Sequence, residues 1–166
     1  MIETKRLIIR PLSHDELKKQ IQAPNELAFE LGLTPSTSLV EEEIQDAIQD
    51  SLLSNGERNS VFDTMWIVIE KAQKAMIGCI CFHGEPDKKG EVEIGYGTDK
   101  EYRNKGYMTE TIAGMVEWLA VNKTILAVNA ETGRENRSSI KVLEKNNFRI
   151  YHENGDSVFM KLELPN

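Results

Sequence analysis

Apolar residues change their spacing along the chain, and each change indicates a different element. Residues 7–11 form a short apolar run that ends at a proline, which predicts a strand. Ser13 and Glu16 have the spacing of a capping box, which predicts a helix that ends near Gln22. Residues 41–53 carry apolar side chains at helical spacing and predict a second helix.

The rest of the chain mixes strand-like runs with two further helical patterns. The predicted elements are strands at residues 65–70, 76–82 and 91–98, a helix at 108–121, a strand at 125–128, a helix at 137–146, and strands at 149–152 and 158–162. The order β-α-α-β-β-β-α-β-α-β-β predicts an α/β (α+β) protein. Its mixed central sheet would have about six to seven strands, with helices on the faces.

Length and composition predict one globular domain that spans residues 1–166. Hydrophobic residues make up 40% and charged residues 28%, and a net charge of −7 disfavours nucleic acid as a partner. No apolar run approaches the ~20 residues of a membrane span, and the N-terminus lacks the pattern of a signal peptide. We therefore expect a cytoplasmic protein without a membrane partner.

The two cysteines, Cys79 and Cys81, lie two residues apart on a predicted strand. Side chains at that spacing are about 6–7 Å apart along the strand, too far for ordinary disulfide geometry. A Cys-x-Cys pair without a further Cys or His cluster is also a poor zinc site. We expect two buried free thiols and no metal.

Residues 103–110 contain the pattern that points most directly to chemistry. A predicted strand precedes them, Gly106 lies inside them, and a predicted helix begins at Met108. The first backbone N–H groups of a helix lack intrahelical partners, and the helix dipole is positive at that end. Gly106 lets the backbone approach a bulky anion, while Arg103 and Lys105 add positive charge. This combination predicts a site for a phosphorylated ligand.

This loop and the order of elements resemble the GNAT superfamily of acetyl-CoA-dependent N-acetyltransferases. That family has an Arg/Gln-x-x-Gly-x-Gly/Ala signature between its fourth strand and third helix. The chain matches the signature at Arg103 and Gly106 and departs from it at Met108, where the family has a small residue. Because backbone amides bind the pyrophosphate in this family, the departure is compatible with the function.

A second segment, residues 135–148, resembles the stretch that GNAT members carry after the fifth strand. The matches are Asn136, Ser139, residues 142–145 and Phe148. Asn147 replaces the usual glycine before that phenylalanine, and asparagine tolerates the left-handed conformation that a helix C-cap needs. Two motifs at the right separation make the resemblance specific.

Residues 4–12 and 93–96 are similar to the branch that contains ribosomal-protein N-terminal acetyltransferases. The resemblance implies direct acetyl transfer from acetyl-CoA to a primary amine in a ternary complex. The amine would be a protein N-terminus, such as that of a ribosomal protein, or a small molecule. Homodimers are common in this branch.

The resemblance also implies where acetyl-CoA would bind. The pantetheine arm would lie in a splay between the fourth and fifth strands and pair with the backbone of the fourth. Asn136 would contact the CoA arm, cap the last predicted helix, or do both. The implied cofactor-binding residues are Ile94, Gly95, Tyr96, Arg103, Asn104, Lys105, Gly106, Tyr107, Met108, Thr109 and Asn136.

Glu91 and Glu93 are the candidates for the base that deprotonates the amine. They share one face of a strand, where mutual repulsion would raise the pKa of one carboxyl. The resemblance favours Glu93, because family members often use a carboxylate on this strand. His83 is the one histidine that we consider as an alternative base.

The departing thiolate needs a proton donor or release to solvent. Many GNAT enzymes use a tyrosine on the fourth helix, and the aligned position here is Leu143. Ser139 or Ser138, near the start of that helix, could serve instead. Two other functions stay open: a CoA-binding GNAT module without catalysis that acts as a sensor or scaffold, and a protein that binds another nucleotide. The absence of a Gly-x-x-x-x-Gly-Lys-Ser/Thr pattern counts against ATP.

Overall fold

The structure is a computed structural model that describes residues 1–35 and 60–165. These residues form one eight-stranded mixed sheet with helices on both faces. The strands are β1 (Ile2–Glu3), β2 (Leu7–Pro11), β3 (Met65–Glu70), β4 (Ala75–Phe82), β5 (Glu91–Thr98), β6 (Ala127–Gly133), β7 (Arg149–Asn154) and β8 (Ser157–Glu163). The helices are α1 (His14–Gln22), α2 (Pro24–Glu30), α3 (Tyr107–Ala120) and α4 (Arg137–Lys145), with a 3₁₀ turn at Lys100–Tyr102.

The strands lie in the order β1-β2-β3-β4-β5-β6-β8-β7. All neighbours are antiparallel except β5 and β6, which are parallel. A parallel pair needs a crossover connection, and α3 provides it between these two strands. The crossover places the start of α3 next to the end of β5, where the loop predicted to hold phosphate lies.

The predicted fold class is confirmed, but the sheet has eight strands in place of six to seven. The two-residue β1 is too short to show an alternating pattern, and its pairing with β2 defines it. The short helix α2, with Pro24 at its start, was also missed. Strand β6 extends to Gly133, beyond the predicted residues 125–128, because β8 pairs with it over its whole length. The helix predicted at residues 41–53 lies outside the described residues.

Two apolar clusters cover the two faces of the sheet. On one face, α3 and α4 pack over a core that includes Trp66, Ile94 and Leu143. On the other face, Leu17 of α1 and Leu27 of α2 pack over β3 and β4. Cys79 and Cys81 are buried in this second cluster, as expected. Among the described helices, none is long and apolar enough to cross a membrane.

Candidate functional site

Strands β5 and β6 separate in the middle of the sheet. Their parallel pairing ends at Glu93 and Asn129 after three register pairs. Beyond that point β5 stays paired with β4 as far as Thr98, while β6 stays paired with β8 as far as Gly133. A wedge therefore opens between the two strands, and residues 94–98 turn one backbone edge toward it. The splay implied by the resemblance is present.

The predicted loop lies beside this wedge and is shaped by two left-handed residues. Asn104 has φ 61° and Gly106, the N-cap of α3, has φ 77°. Such values favour glycine and are tolerated by asparagine. No side chain caps α3 at Gly106, so the first N–H groups of the helix are available to a ligand. This is the backbone arrangement that binds anions.

Arg6, which precedes β2, holds this loop in place. Its Nη1 donates to the carbonyl of Lys105 at 3.0 Å, and its guanidinium lies 4.4 Å from the centre of the Tyr107 ring. Its Nε donates to Glu110 at 2.6 Å, and the Thr4 hydroxyl donates to the same carboxylate at 2.7 Å. Burial acts to raise the pKa of Glu110, but these hydrogen bonds lower it on balance. The sequence motif at residues 4–12 gave no indication of this contact.

The two loop cations have different positions. Nε of Arg103 donates to the carbonyl of Thr98 at 2.9 Å, which folds this side chain back against the end of β5. The ammonium group of Lys105 lies 5.2 Å from the centre of the Tyr102 ring. Arg103 lines the cavity beside the wedge, whereas Lys105 is not among the residues that line it.

This cavity has a volume of about 300 Å³ and lies between the end of β5, the start of α3 and α4. Its charged lining residues are all basic: Arg103, Lys141 and Lys145. Ile94 is buried in the core, and Gly95 is not a lining residue. The predicted site residues that do line the cavity are Tyr96, Arg103, Asn104, Gly106, Tyr107, Met108, Thr109, Asn136 and Ser139.

Tyr96 and Ser139 form a hydrogen-bonded pair in the wall of the cavity. The Tyr96 hydroxyl lies 2.8 Å from Oγ of Ser139 and donates to the Ser139 carbonyl at 3.2 Å. Burial raises the pKa of Tyr96 to about 12, so this phenol stays protonated at neutral pH. The sequence indicated only a backbone role for Tyr96, because the distance to α4 depends on the tertiary fold.

Asn136 is the N-cap of α4. Its Oδ1 accepts hydrogen bonds from the Ser139 backbone N–H at 3.1 Å and from the Ser138 hydroxyl at 2.9 Å. The predicted capping role is confirmed, while its contact with a ligand stays a prediction. Asn147 has φ 66°, which confirms the left-handed residue expected after this helix.

Glu91 is held by neighbours at the closed end of the wedge. Its carboxylate accepts hydrogen bonds from Nζ of Lys161 at 2.7 Å and from Nδ2 of Asn129 at 2.8 Å. The bond from Lys161 and then that from Asn129 lower the pKa of Glu91. The prediction that repulsion would raise one carboxyl pKa is wrong, since the pKa of Glu93 is lowered as well. Each carboxylate has its own cationic or polar partner.

The partner of Glu93 is His83, the residue that follows β4. The two side chains are about half exposed, and Nδ1 of His83 lies 3.2 Å from Oε1 of Glu93. The contact lowers the pKa of Glu93 and raises that of His83. Gly95 makes room for the ring, because a Cβ there would lie 3.0 Å from Nε2 of His83. The strand stays regularly paired at this glycine.

The sheet splays beside an uncapped helix N-terminus and a basic cavity, which is the arrangement that the GNAT resemblance implies. The family model for the acetyltransferase (GNAT) domain matches residues 6–149. The chain belongs to the GNAT family and is an N-acetyltransferase. In the described residues, no group of three or more His, Cys, Asp or Glu side chains could hold a metal ion.

A relative supports this assignment, and solved structures share the fold. The chain is 31% identical over 161 residues to the uncharacterized N-acetyltransferase YjdG of Bacillus subtilis, covering 94% of each sequence. Its fold matches RimL, a ribosomal L7/L12 alpha-N-protein acetyltransferase in complex with coenzyme A, with TM-score 0.65 and 17% identity over 97% of this chain and 96% of that one. It also matches the ribosomal-protein-S5-alanine acetyltransferase of Vibrio fischeri, with TM-score 0.61 and 16% identity over 97% and 94%.

Proposed function

We propose that this protein transfers the acetyl group of acetyl-CoA to a primary amine by direct attack within a ternary complex. The observation that carries the proposal is the wedge between β5 and β6, which opens beside the left-handed loop at Asn104 and Gly106. The wedge fits an extended arm, and the loop fits the pyrophosphate to which that arm is joined. A GNAT relative in complex with coenzyme A supports the same choice of donor.

The cavity supplies the contacts that such a donor needs. The amides at the start of α3 would bind the pyrophosphate, and Arg103, Lys141 and Lys145 would balance its charge. The open backbone edge of residues 94–96 would pair with the pantetheine amides. A backbone N–H on this edge would also donate to the thioester carbonyl oxygen as negative charge develops there. Asn136 would contact the arm from α4.

The reaction needs an amine without its extra proton and a thiolate that can leave. Glu93 would attract the acceptor ammonium at the point where the wedge begins and assist its deprotonation. The Ser139 hydroxyl, which lies 2.8 Å from the Tyr96 hydroxyl, would donate a proton to the departing thiolate. Glu93 and Ser139 would act on a thioester and an amine that are held together between β5 and β6. Holding the two reactants in this geometry would itself raise the rate.

The acceptor that we propose is a peptide α-amino group, with small amines as the second class. The solved structures with this fold include enzymes named for ribosomal-protein N-termini. Glu93 is in the last pair of β5 with β6, and Glu131 is two residues beyond its partner Asn129, so both place negative charge near the point where the wedge begins. This charge suits an ammonium acceptor of either class.

Two measurements test this function. Thermal shifts with acetyl-CoA, ATP and NAD should show stabilisation by acetyl-CoA, because a ligand that binds the native state raises its melting temperature. Stabilisation by ATP but not by acetyl-CoA would contradict the proposal. Thiol release should then be followed with ribosomal-protein N-terminal peptides, polyamines and aminoglycosides. Turnover with one class identifies the acceptor, whereas CoA binding without turnover on any amine would indicate a sensor or scaffold.

A further inference from the structure

Three ionisable side chains from different parts of the chain lie on one face of the sheet, near the point where β5 and β6 separate. His83 follows β4, Glu93 lies on β5, and Glu131 lies on β6. Nδ1 of His83 is 3.2 Å from the Glu93 carboxylate. Glu131 is two residues beyond Asn129, the register partner of Glu93, so its side chain shares the face of Glu93. We propose that His83 is the base that deprotonates the acceptor amine and that Glu93 is its positioning residue. This inference rests on the proposed function.

The orientation of the ring is the first argument. Since Nδ1 points to the carboxylate, the proton of the neutral imidazole lies on Nδ1 and the lone pair on Nε2. Nε2 lies over Gly95, 3.0 Å from the position that a Cβ would occupy. Gly95 is two residues beyond the last pairing of β5 with β6. The basic nitrogen is therefore at the opening of the wedge, where the acetyl group would lie.

The environment of the ring is the second argument. About half of the His83 side chain is exposed, so an acceptor can reach it from solvent. The imidazolium formed on proton transfer would face the carboxylates of Glu93 and Glu131, which stabilise its charge. A carboxylate that orients an imidazole in this way raises its basicity without accepting the proton itself.

The proton balance is complete with these groups. The acceptor ammonium gives one proton to Nε2 of His83, and the neutral amine then forms a C–N bond to the thioester carbonyl carbon. The C–S bond breaks, and the nitrogen loses a second proton while the thiolate gains one through the Ser139 hydroxyl. His83 afterwards releases its proton to solvent, so the products are an amide, a thiol and one proton.

The test is the pH dependence of kcat/KM in four variants, with the best acceptor from the amine panel. In wild type, activity should rise with pH along a limb centred above 6.5, the ordinary His pKa, because Glu93 and Glu131 raise the pKa of His83. His83→Gln should lose roughly 100-fold in kcat/KM and lose this limb, while its acetyl-CoA affinity is unchanged. Glu93→Gln should keep more activity and move the limb to lower pH, and Glu131→Gln should move it less.

Several controls separate this inference from its alternatives. His14→Gln, at the exposed start of α1, should behave as wild type. Two acceptors with different amine pKa values show which group causes the rise of kcat/KM with pH. If a protein group causes it, the midpoint of the rise is the same with both acceptors. In NMR spectra, His83 should titrate above 6.5, and its pKa should fall in Glu93→Gln.

The activities of these variants distinguish a failure of the proposed role of His83 from a failure of the proposed function. If His83→Gln keeps its activity within twofold and retains the limb, His83 is not the base, while the proposed function stands. Loss of more activity in Glu93→Gln than in His83→Gln, without a shift of the limb, would make Glu93 the base itself. A wild-type protein that binds acetyl-CoA and acetylates no amine would overturn the proposed function and this inference together.

Discussion

The two faces of β5 look onto surfaces of opposite charge. Tyr96 faces the cavity at the start of α3, where Arg103 and Lys141 are among the lining residues and all charged lining residues are basic. Glu91 and Glu93 lie on the other face, since neighbouring residues of a strand alternate in direction. A single strand thus separates a surface that suits an anionic donor from one that suits a cationic acceptor. In the proposed function, this separation would let both substrates approach the wedge without competing for the same charges.

The two surfaces also differ in how they are built. The donor surface depends on backbone conformation, with left-handed residues at Asn104 and Gly106 and the free N–H groups of α3. The acceptor surface depends on side chains such as His83 and Glu93, which are held by contacts between strands. Changes to the backbone should therefore impair donor binding, while changes to side chains should affect the acceptor surface and proton transfer.

The largest effect should come from a matched pair of glycine substitutions. Gly106→Ala and Gly155→Ala both place a Cβ on a left-handed residue, at φ 77° and φ 57°. Each should reduce the free energy of unfolding by roughly 1–2 kcal/mol. Only Gly106→Ala should weaken acetyl-CoA binding, by about tenfold or 1.4 kcal/mol, because Gly106 lines the cavity at the start of α3 and Gly155 does not. Calorimetric titration measures the affinity for acetyl-CoA. An equal loss of affinity in Gly106→Ala and Gly155→Ala would contradict a specific role of the backbone at Gly106.

A smaller loss of acetyl-CoA affinity should follow when the contacts of Arg6 with the loop are removed. Arg6→Ala deletes the bonds to Lys105 and Glu110 and leaves the residues of the anion site unchanged. Because such a bond contributes about 1 kcal/mol, we expect roughly fivefold weaker acetyl-CoA binding. Arg10→Ala is the matched control, since Arg10 pairs with Glu16 of α1, away from the loop. If Arg10→Ala weakens binding as much as Arg6→Ala, the effect is one of general stability.

The donor surface could be predicted from sequence because its determinants are local. Gly106 and the start of α3 lie within a few residues, and Asn147 marks the end of α4 in the same way. His83 was an alternative base in the sequence, but its contact with Glu93 and the contacts of Arg6 gave no such signal, because the order of strands decides which distant residues they meet. The sequence placed Glu91 and Glu93 on one face correctly. Their pKa values depend on partners from other elements, which the periodicity of one strand does not specify.

Glu91 should contribute to stability through its ion pair with Lys161. Glu91 and Lys161 are each about 22% exposed in their side chains, so Glu91→Gln should reduce the free energy of unfolding by about 1 kcal/mol at pH 7. The fold lowers the pKa of Glu91 below 4.5. Its contribution is therefore fully present above pH 4.5 and is lost as pH falls through the folded-state pKa.

Urea unfolding at pH 7 and at pH 3 measures this difference between Glu91→Gln and wild type. Glu153→Gln is the control, because Glu153 pairs with Arg134 on the surface and both side chains are more than 40% exposed. Such a pair contributes little at either pH. An equal effect of Glu91→Gln at both pH values would show that the ion pair with Lys161 does not carry the stabilisation.

The smallest effect should come from Tyr96→Phe, on the side of β5 that faces the cavity. Tyr96→Phe keeps the buried ring and removes the hydroxyl that lies 2.8 Å from Oγ of Ser139. Acetyl-CoA affinity should be unchanged, and kcat should fall about threefold because the serine hydroxyl loses the partner that orients it.

Ser139→Ala removes the proposed proton donor itself and should reduce kcat about tenfold. Since the two groups act as one unit, the double variant should be little worse than Ser139→Ala alone. Burial raises the Tyr96 pKa to about 12, so neither variant should move a limb of the pH profile near neutrality. If Tyr96→Phe lowers the affinity for acetyl-CoA and leaves kcat unchanged, the hydroxyl contributes to donor binding and not to proton transfer.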